Sequence, residues 1–296
     1  MHQTLERQLR SLNWQEQSMR KNTVNQEGTG KSSEVKLFQL ESEIKTIIKE
    51  LPGDYSIVIE TLEGTISLKG ENQLPAASLI KLPIMIEAFR QSEANIIDLD
   101  EIVDVSTVKK VGGAGILARL SSIASLTIRD LLTLMIIVSD NTATNELIDR
   151  LSTDKINNLC RAYNCQSTRL QRKLMDFEAL KNGKDNLTSS KDVVKLLKGI
   201  DTGQDYSKRT RKEMLSILSE QQFLDKLPAF IPQDSTEEFF MANKTGELPG
   251  VEHDAAIIKS NGKHVYACVM FANLYENKEG KVAISEIGRA IWEFLK

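Results

Sequence analysis

Residues 77–86 read ASLIKLPIMI, which places a serine and a lysine three positions apart in an otherwise apolar segment. Residues three apart share one face of a helix, so the amine of Lys81 can reach the hydroxyl of Ser78. A lysine in such a run either extends to solvent or occupies a site that requires it. Ser78 lies near the start of the predicted helix 77–91, where its backbone N–H lacks an intrahelical acceptor and is free to bind an oxyanion. Pro83 has no N–H and is expected to bend or loosen this helix.

A serine and a lysine at this spacing are a weak signal alone, because the pattern occurs seven times in the chain. Two further segments give it weight. Ser139-Asp140-Asn141 follows an apolar predicted helix, 126–138, and Lys244-Thr245-Gly246 ends a β-like run, 239–243. The order of the three segments, and the apolar element beside each, distinguish them from chance matches.

Together these segments resemble the signature set of class A β-lactamases and their penicillin-binding relatives, which consists of S-x-x-K, S-D-N and K-T-G. Their separations along the chain are also similar to those of that family. The likeness extends to the segments SDNTATN at 139–145 and GGAGIL at 112–117. It covers about residues 35–296, nearly everything apart from an N-terminal extension.

Periodicity along the chain predicts a helix, two strands, many helices, three strands and a final helix. The predicted strands are 55–60, 65–69, 239–244, 252–260 and 264–273, and the first and last helices are 33–51 and 282–295. Strands from both ends of the chain that share one sheet give an α+β fold. The resemblance implies an α/β sandwich, in which N- and C-terminal helices flank an antiparallel sheet and an all-helical subdomain packs on it.

The chain is expected to divide into a polar N-terminal extension, residues 1–33, and a single β-lactamase-like domain, residues 34–296. The α/β part of that domain would comprise about 34–90 and 239–296, and the helical part about 91–238. The crevice between the two parts is the expected place for a site.

Composition excludes several classes of function. The 296 residues carry a net charge of −3, so there is no basic surface of the kind that binds nucleic acid. Three cysteines, Cys160, Cys165 and Cys268, are too few for a disulfide framework, and three scattered histidines form no zinc motif. No segment approaches the roughly 20 apolar residues that span a bilayer, and no secretory signal is visible. We therefore expect a monomer without metal or cofactor, cytoplasmic as written, or secreted if its start has been trimmed.

The resemblance implies that Ser78 attacks a carbonyl group and becomes acylated. Lys81 can accept the serine proton only when neutral, and a free lysine titrates near about pH 10.4. Burial and the charge of Lys244 are both expected to lower its pKa. The other candidate base in the family is a carboxylate that acts through a water molecule. Ser139 would pass a proton to the leaving nitrogen, and Asn141 would hold the amide of the substrate.

The resemblance also assigns the residues around the substrate carboxylate. Lys244 and Thr245 would face it, one by charge and one by hydroxyl. Gly246 would let the strand approach the ligand, and the backbone N–H of Glu247 would be the second oxyanion donor. His253 lies on the next strand, where many members of the family place a positive group for this carboxylate. Structural packing is the alternative role for this histidine.

The chain departs from the family at the residue that releases the product. Efficient class A enzymes carry an E-x-x-L-N stretch whose glutamate activates the deacylating water. Matched without gaps on residues 168–170, that glutamate falls at Leu174, which cannot activate water. Asp176 and Glu178 are nearby carboxylates, but either would need a different loop path. We therefore expect acylation to depend on Lys81 and deacylation to be slow, so that a β-lactam labels the protein.

Four functions stay open at this point. The first is a β-lactamase-like hydrolase, weak or specialised. The second is a penicillin-binding enzyme that acts on D-alanyl peptides, which the missing glutamate favours and the missing signal disfavours. The third is a sensor that binds a β-lactam or a peptidoglycan fragment without turnover, and the fourth is an esterase or amidase with an unrelated substrate. In the first three the partner is a small molecule, a β-lactam or a D-alanyl peptide.

Overall fold

A computed structural model of the chain describes residues 34–121, 125–232 and 239–296. The extension predicted at 1–33 lies outside these described residues. Within them, no helix is both long enough and apolar enough to cross a bilayer.

Strands from the two ends of the chain form one antiparallel sheet, with the order β2-β1-β9-β8-β7. The strands are β1 (Asp54–Thr61), β2 (Thr65–Leu68), β7 (Phe239–Leu248), β8 (Val251–Ser260) and β9 (Lys263–Ala272). A hairpin at Gly64 joins β1 to β2, and Tyr55 of β1 lies opposite Phe271 of β9. This pairing unites the two ends of the chain in one layer, as the predicted α+β sandwich requires.

Helices cover both faces of this sheet. They are α1 (34–48), α2 (Lys81–Glu93), α3 (Ile128–Ile137), α4 (Asn141–Leu151), α5 (Thr153–Ala162), α6 (Phe177–Lys181), α7 (Ser190–Thr202), α8 (Lys208–Ser219) and α9 (Asn277–Leu295). Two short ladders join the connecting segments: β3 (Leu74–Pro75) with β6 (Leu187–Thr188), and β4 (Ile102–Asp104) with β5 (Ser125–Thr127). The terminal helices α1 and α9 pack on one face, and the central helices pack on the other.

The central strand β9 shows how the sheet separates two hydrophobic cores. Side chains alternate between the two faces of a strand. Val265, Ala267 and Val269 accordingly pack in the core with α1 and α9, whereas Cys268 and Met270 pack in the core with the central helices. A strand buried on both faces reads as a continuous apolar run, which explains why β9 was evident from the sequence. The three cysteines are free and buried.

The helix that carries the serine–lysine pair begins later than predicted. Residues Ala77–Ile80 form a short 3-10 turn, and the α-helix starts at Lys81. Pro83 is therefore the third residue of α2, where a backbone N–H has no intrahelical acceptor in any helix. A proline in the first turn is compatible with a regular helix, so Pro83 does not have to bend α2.

Other boundaries also differ from the predictions, among them the start of α9 at Asn277 and not at 282. The helix predicted at 126–138 begins at Ile128, after β5, with a capping box between Thr127 and Asp130. Strand β7, predicted to end at 244, continues through the Lys-Thr-Gly segment to Leu248. The segment therefore lies within an edge strand of the sheet and not at a strand terminus.

Candidate active site

The 3-10 turn before α2 places Ser78 at the surface of a cavity. Ser78, Ser139 and Thr245 line this cavity, which has a volume of about 440 Å³. Ala77, immediately before the serine, has a φ of +45°, a left-handed conformation that L-residues rarely adopt. Ser139 has a φ of +56°. Such strained positions persist only where the surrounding structure holds them, and they cluster at functional sites.

The amine of Lys81 is fully buried and points at the Ser-Asp-Asn segment. Its Nζ donates to the carbonyl oxygen of Ser139 at 2.7 Å, to Oγ of Ser139 at 3.0 Å and to Oδ1 of Asn141 at 3.0 Å. Within the described residues, the side chain of Ser78 forms no hydrogen bond to Lys81. The lysine instead engages the hydroxyl of Ser139.

Lys244 reaches the same hydroxyl from strand β7. It is fully buried, and its Nζ donates to Oγ of Ser139 at 3.2 Å and to the carbonyl oxygen of Thr245 at 2.9 Å. Three segments that are far apart in the sequence thus meet at one oxygen atom. The predicted convergence of Lys81, Ser139 and Lys244 is what the fold produces.

Burial lowers the proton affinity of both amines. Desolvation holds the pKa of Lys81 well below its ordinary value, and the charge of Lys244 lowers it further, against a smaller raising effect from Asp140. Burial also lowers the pKa of Lys244 to about 7, opposed by the carboxylate of Asp254. Each amine can therefore be neutral at a pH where a surface lysine is charged.

Gly246 allows the strand to lie against the turn that carries the serine. A Cβ at this position would lie 3.3 Å from the backbone nitrogen of Ser78 and 3.2 Å from the Cβ of Ala77, closer than an ordinary van der Waals contact. The predicted role of Gly246 in close approach therefore has a structural counterpart. Glu247 also lines the cavity, on an edge strand whose outer peptide groups have no sheet partner.

Asp140 fixes the loop opposite the serine. Its Oδ2 accepts hydrogen bonds from the backbone nitrogens of Ile116 and Leu117, both at 2.7 Å, and its Oδ1 caps helix α4 by accepting from Ala143 at 2.9 Å. Each contact satisfies a backbone donor that the helix start or the loop leaves unpaired. Asp140 therefore positions the loop, which brings Ala114 into the cavity wall.

Asn141 has both ends of its amide engaged. Oδ1 accepts from Lys81, and Nδ2 donates to the carbonyl oxygen of Gly112 at 3.2 Å. The side chain is thereby held between the amine and the loop. Nδ2 keeps a second N–H, which is the donor that the predicted contact with a substrate amide requires.

His253 is correctly placed on β8, but its predicted contact with a substrate carboxylate is wrong. The ring is fully buried, with Nδ1 2.7 Å from the carbonyl oxygen of Glu252 and Nε2 2.7 Å from that of Pro75. Burial lowers the pKa of His253 to about 4, although the two carbonyl groups act in the opposite direction. Both ring nitrogens lie against backbone carbonyl oxygens, so the buried ring has no nitrogen free for a substrate carboxylate, and the structure supports the packing role.

Lys226 is a cation at the cavity that the sequence predictions missed. It lines the cavity, donates from Nζ to the carbonyl oxygens of Gly246 at 3.0 Å and His253 at 3.2 Å, and forms an ion pair with the buried carboxylate of Glu252. Its only sequence signal is a lysine directly before the apolar run LPAF, in LDKLPAF at residues 224–230. A charged residue in such a run could have suggested a buried partner, but no motif identified it.

The structure places the carboxylates near Leu174 outside this cavity. Asp176 caps helix α6 by accepting from the backbone nitrogen of Ala179 at 3.0 Å, and Glu178 is exposed. Both line a different cavity from the one that contains Ser78. Leu174 itself is held by Asn145, which bonds its backbone N–H at 2.8 Å and its carbonyl at 3.0 Å. In the part of the chain that is described, no group of three or more histidine, cysteine or acidic residues could hold a metal ion.

Comparison with known proteins agrees with this geometry. The sequence matches the family described as "Beta-lactamase enzyme family" over residues 39–295. The chain belongs to this β-lactamase family. Membership supports a serine hydrolase of the type that acts on β-lactams. A search of curated proteins by sequence gave no match.

Solved structures of β-lactamases and penicillin-binding proteins share the fold. A β-lactamase from Sphaerobacter thermophilus is 28 % identical, with a TM-score of 0.80 over 86 % of this chain and 95 % of that one. PBP-A is 26 % identical, with a TM-score of 0.76 over 86 % of this chain and 95 % of its own. A leucine-to-glutamate mutant of PBP-A, in an acyl-enzyme complex with penicillin G, is 25 % identical, with a TM-score of 0.77 over 87 % and 96 % of the two chains. The β-lactamase/transpeptidase fold expected from the sequence is thus confirmed.

Proposed function

We propose that the protein is an acyl-enzyme serine hydrolase in which Ser78 attacks the strained amide of a β-lactam and Lys81 accepts the serine proton. The observation that supports this function best is the meeting of two buried amines, Lys81 and Lys244, at the hydroxyl of Ser139. Burial favours the neutral form of Lys81, and a neutral amine is the form that can act as a base.

The steps follow from this arrangement. The Ser78 oxygen bonds to the carbonyl carbon, and its proton passes to the Lys81 amine. The backbone N–H groups of Ser78 and Glu247 stabilise the oxyanion of the tetrahedral intermediate. The ring C–N bond then breaks, and Ser139 gives its proton to the leaving nitrogen while accepting one from Lys81. The product is an ester on Ser78, with the opened ring still attached.

The carboxylate of the substrate would lie near Lys244 and Thr245. Lys226, which replaces His253 as the nearby cation, adds positive charge to this end of the cavity. Its ion pair with Glu252 offsets part of that charge, so Lys226 serves to hold the carbonyl oxygen of Gly246 as well as to attract the substrate. Lys244 is charged below its pKa of about 7, so it attracts the substrate carboxylate most strongly below that pH.

Release of the acyl group is proposed to be slow. Leu174 occupies the position at which class A enzymes carry their deacylating glutamate, and the nearby Asp176 and Glu178 line another cavity. Loss of a positioned general base typically costs roughly 10² to 10⁴ in rate. The protein is therefore proposed to accumulate as a β-lactam ester.

Intact-mass spectrometry after mixing with penicillin G tests this function. We expect an added mass equal to one penicillin that persists for hours, and no adduct in Ser78→Ala. If the wild-type protein neither gains this mass nor hydrolyses penicillin, the acyl-enzyme function is wrong. If it hydrolyses penicillin rapidly with no adduct at any time, the acylation step is retained and the slow release is wrong.

A second candidate uses the same acylation on a peptide ending in D-Ala-D-Ala. The leucine at position 174 favours it, since a peptidase that transfers its acyl group to an amine has no need of an activated water. Release of D-alanine from such a peptide, measured enzymatically, would support this candidate. A protein that penicillin labels but that releases no D-alanine would contradict it.

A further inference from the structure

The outer end of the active-site cavity carries three charged side chains from three different elements. Asp225 comes from the segment after α8, Glu247 from β7 and Lys281 from α9, and all three line the cavity together with Ser78. Nζ of Lys281 lies 3.0 Å from Oδ2 of Asp225 and 3.8 Å from Oε2 of Glu247. We call these three residues the rim.

The rim has more negative than positive charge. Asp225 and Glu247 are two carboxylates with side chains 58 % and 59 % exposed, and they share the single ammonium of Lys281, which is 34 % exposed. Lys226, the other lining cation, is already paired with the buried Glu252. Among the residues that the structure describes, the two rim carboxylates therefore have one ammonium between them, and both are more than half exposed.

The rim adjoins the part of the cavity that is assigned to the leaving group. Glu247 is two residues after Thr245 on the same strand, so both side chains project from one face of β7. Thr245 is the residue proposed to face the substrate carboxylate, and that carboxylate belongs to the leaving half of a β-lactam. A substituent that extends outward from the leaving half would consequently meet the rim.

We infer that the rim selects substrates whose leaving half carries a cationic group, such as a quaternary nitrogen or an amine, over substrates with a neutral or anionic group there. This inference rests on the proposed acylation of Ser78 and adds the substrate class. One unpaired carboxylate at a solvent-accessible mouth changes the relative rate of charged and neutral substrates by roughly threefold to tenfold.

Cephaloridine and cephalothin provide a matched pair of probes. They carry the same thienylacetyl side chain and differ in the substituent on the six-membered ring, a pyridinium in the first and an acetoxy group in the second. The second-order rate constant for acylation of each is measured by competition with a fluorescent penicillin. The cephaloridine-to-cephalothin ratio is then compared among variants, so that the intrinsic reactivities of the two compounds cancel.

Two substitutions on the rim should move this ratio in opposite directions. Asp225→Asn removes a negative charge and is expected to lower the ratio roughly threefold, whereas Lys281→Gln removes the counter-charge and is expected to raise it by a similar factor. Glu178→Gln is the control, because it removes an exposed carboxylate that lines another cavity. Raising the salt concentration to about 0.5 M should weaken both changes, because the Debye length then falls to several ångströms.

The possible outcomes distinguish a failure of charge selection by the rim from a failure of the proposed acylation. If both compounds acylate the protein but the ratio stays the same in Asp225→Asn and Lys281→Gln, the rim does not select by charge and the inference is overturned. It is also overturned if both substitutions shift the ratio in the same direction, since a structural disturbance of the mouth would do this. If neither compound acylates the wild-type protein, the proposed function itself fails.

Discussion

Lys81 and Lys244 meet at one hydroxyl, with their ammonium nitrogens 3.0 and 3.2 Å from Oγ of Ser139. Two positive charges this close to one acceptor disfavour each other, and neither has solvent around it. The pair is therefore stable only if one amine releases its proton readily. Lys81 is the amine proposed to do so, and the arrangement has direct consequences for the pH dependence of acylation.

Lys244→Met should shift the pH profile of acylation. Because the base must be neutral, the rate rises as the pH increases through the pKa of Lys81, which burial and then Lys244 keep well below the ordinary value. Removing the charge of Lys244 raises that pKa, so the rising limb of the profile moves to higher pH. The limb is measured from the second-order rate constant for penicillin acylation between about pH 4 and pH 9.

Lys244→Arg is the matched control for this shift, since it keeps the positive charge. We expect its rising limb to stay close to that of the wild-type protein, whatever its maximum rate. If the acylation rate rises over the same pH range in Lys244→Met and in the wild-type protein, the proposed electrostatic coupling between the two lysines is contradicted.

Leu174→Glu should shorten the lifetime of the penicillin adduct. Asn145 hydrogen-bonds both the N–H and the carbonyl of residue 174, so the backbone that would carry the new carboxylate is fixed in position. We expect release to accelerate roughly tenfold, less than the 10² to 10⁴ that a fully positioned general base contributes, because Leu174 lines a different cavity from the one that contains Ser78. The decay of the adduct is followed by intact-mass spectrometry after excess penicillin has been removed.

Leu174→Gln is nearly the same size as the glutamate variant and cannot act as a base. It should leave the lifetime of the adduct unchanged within a factor of about two. Equal acceleration in both variants would mean that loosening of the loop, and not general base catalysis, releases the acyl group.

Gly246→Ala should impair acylation by crowding the serine turn. The added methyl group would lie 3.3 Å from the Ser78 nitrogen and 3.2 Å from the Ala77 Cβ, in a turn that is already strained. Overpacking of this kind costs about 1–3 kcal/mol. We expect the acylation rate to fall roughly tenfold, measured with a fluorescent penicillin, and the melting temperature to fall by a few degrees.

Gly112→Ala is a suitable comparison, because no heavy atom lies within 4 Å of the added methyl group. Its melting temperature and acylation rate should match those of the wild-type protein closely. Normal acylation in Gly246→Ala would show that the strand and the serine turn separate easily, in conflict with the close packing of the two.

Lys226→Met should destabilise the fold, because it leaves Glu252 buried without its cation. Breaking a buried ion pair by removal of one partner costs about 3–5 kcal/mol. The double variant Lys226→Met/Glu252→Gln removes both charges and should recover much of this loss. Urea unfolding measures the free energy of unfolding of the single and the double variant. A double variant no more stable than Lys226→Met would contradict a pairing role.

The fold and the centre of the site were predictable because their signals are local. Alternating and continuous apolar patterns located the strands along the chain. The three short motifs identified Ser78, Ser139 and Lys244 as site residues. What brings those residues together is the antiparallel pairing of β1 with β9, which joins the ends of the chain. The resemblance to a family supplied that pairing, and periodicity alone did not.

The sequence predictions failed where the role of a residue depends on neighbours that are distant in the chain. Sequence pattern placed His253 on a strand but could not show that the carbonyl of Pro75 occupies its outer nitrogen. Lys226 belongs to no motif, since its role comes from Glu252 and from the carbonyl of Gly246, both far along the chain. The start of α2 was misplaced because Pro83 is compatible with the first turn of a helix as well as with a bend.

The unusual acidity of Lys81 exists only when the sheet and the helical layer have docked around it. In a nascent or unfolded chain this side chain is an ordinary ammonium in water, and Ser78 has no base to take its proton. The proposed chemistry therefore requires the folded arrangement of both layers. We expect an incompletely folded polypeptide to resist acylation, so that labelling by a penicillin would report how many molecules have reached the native state.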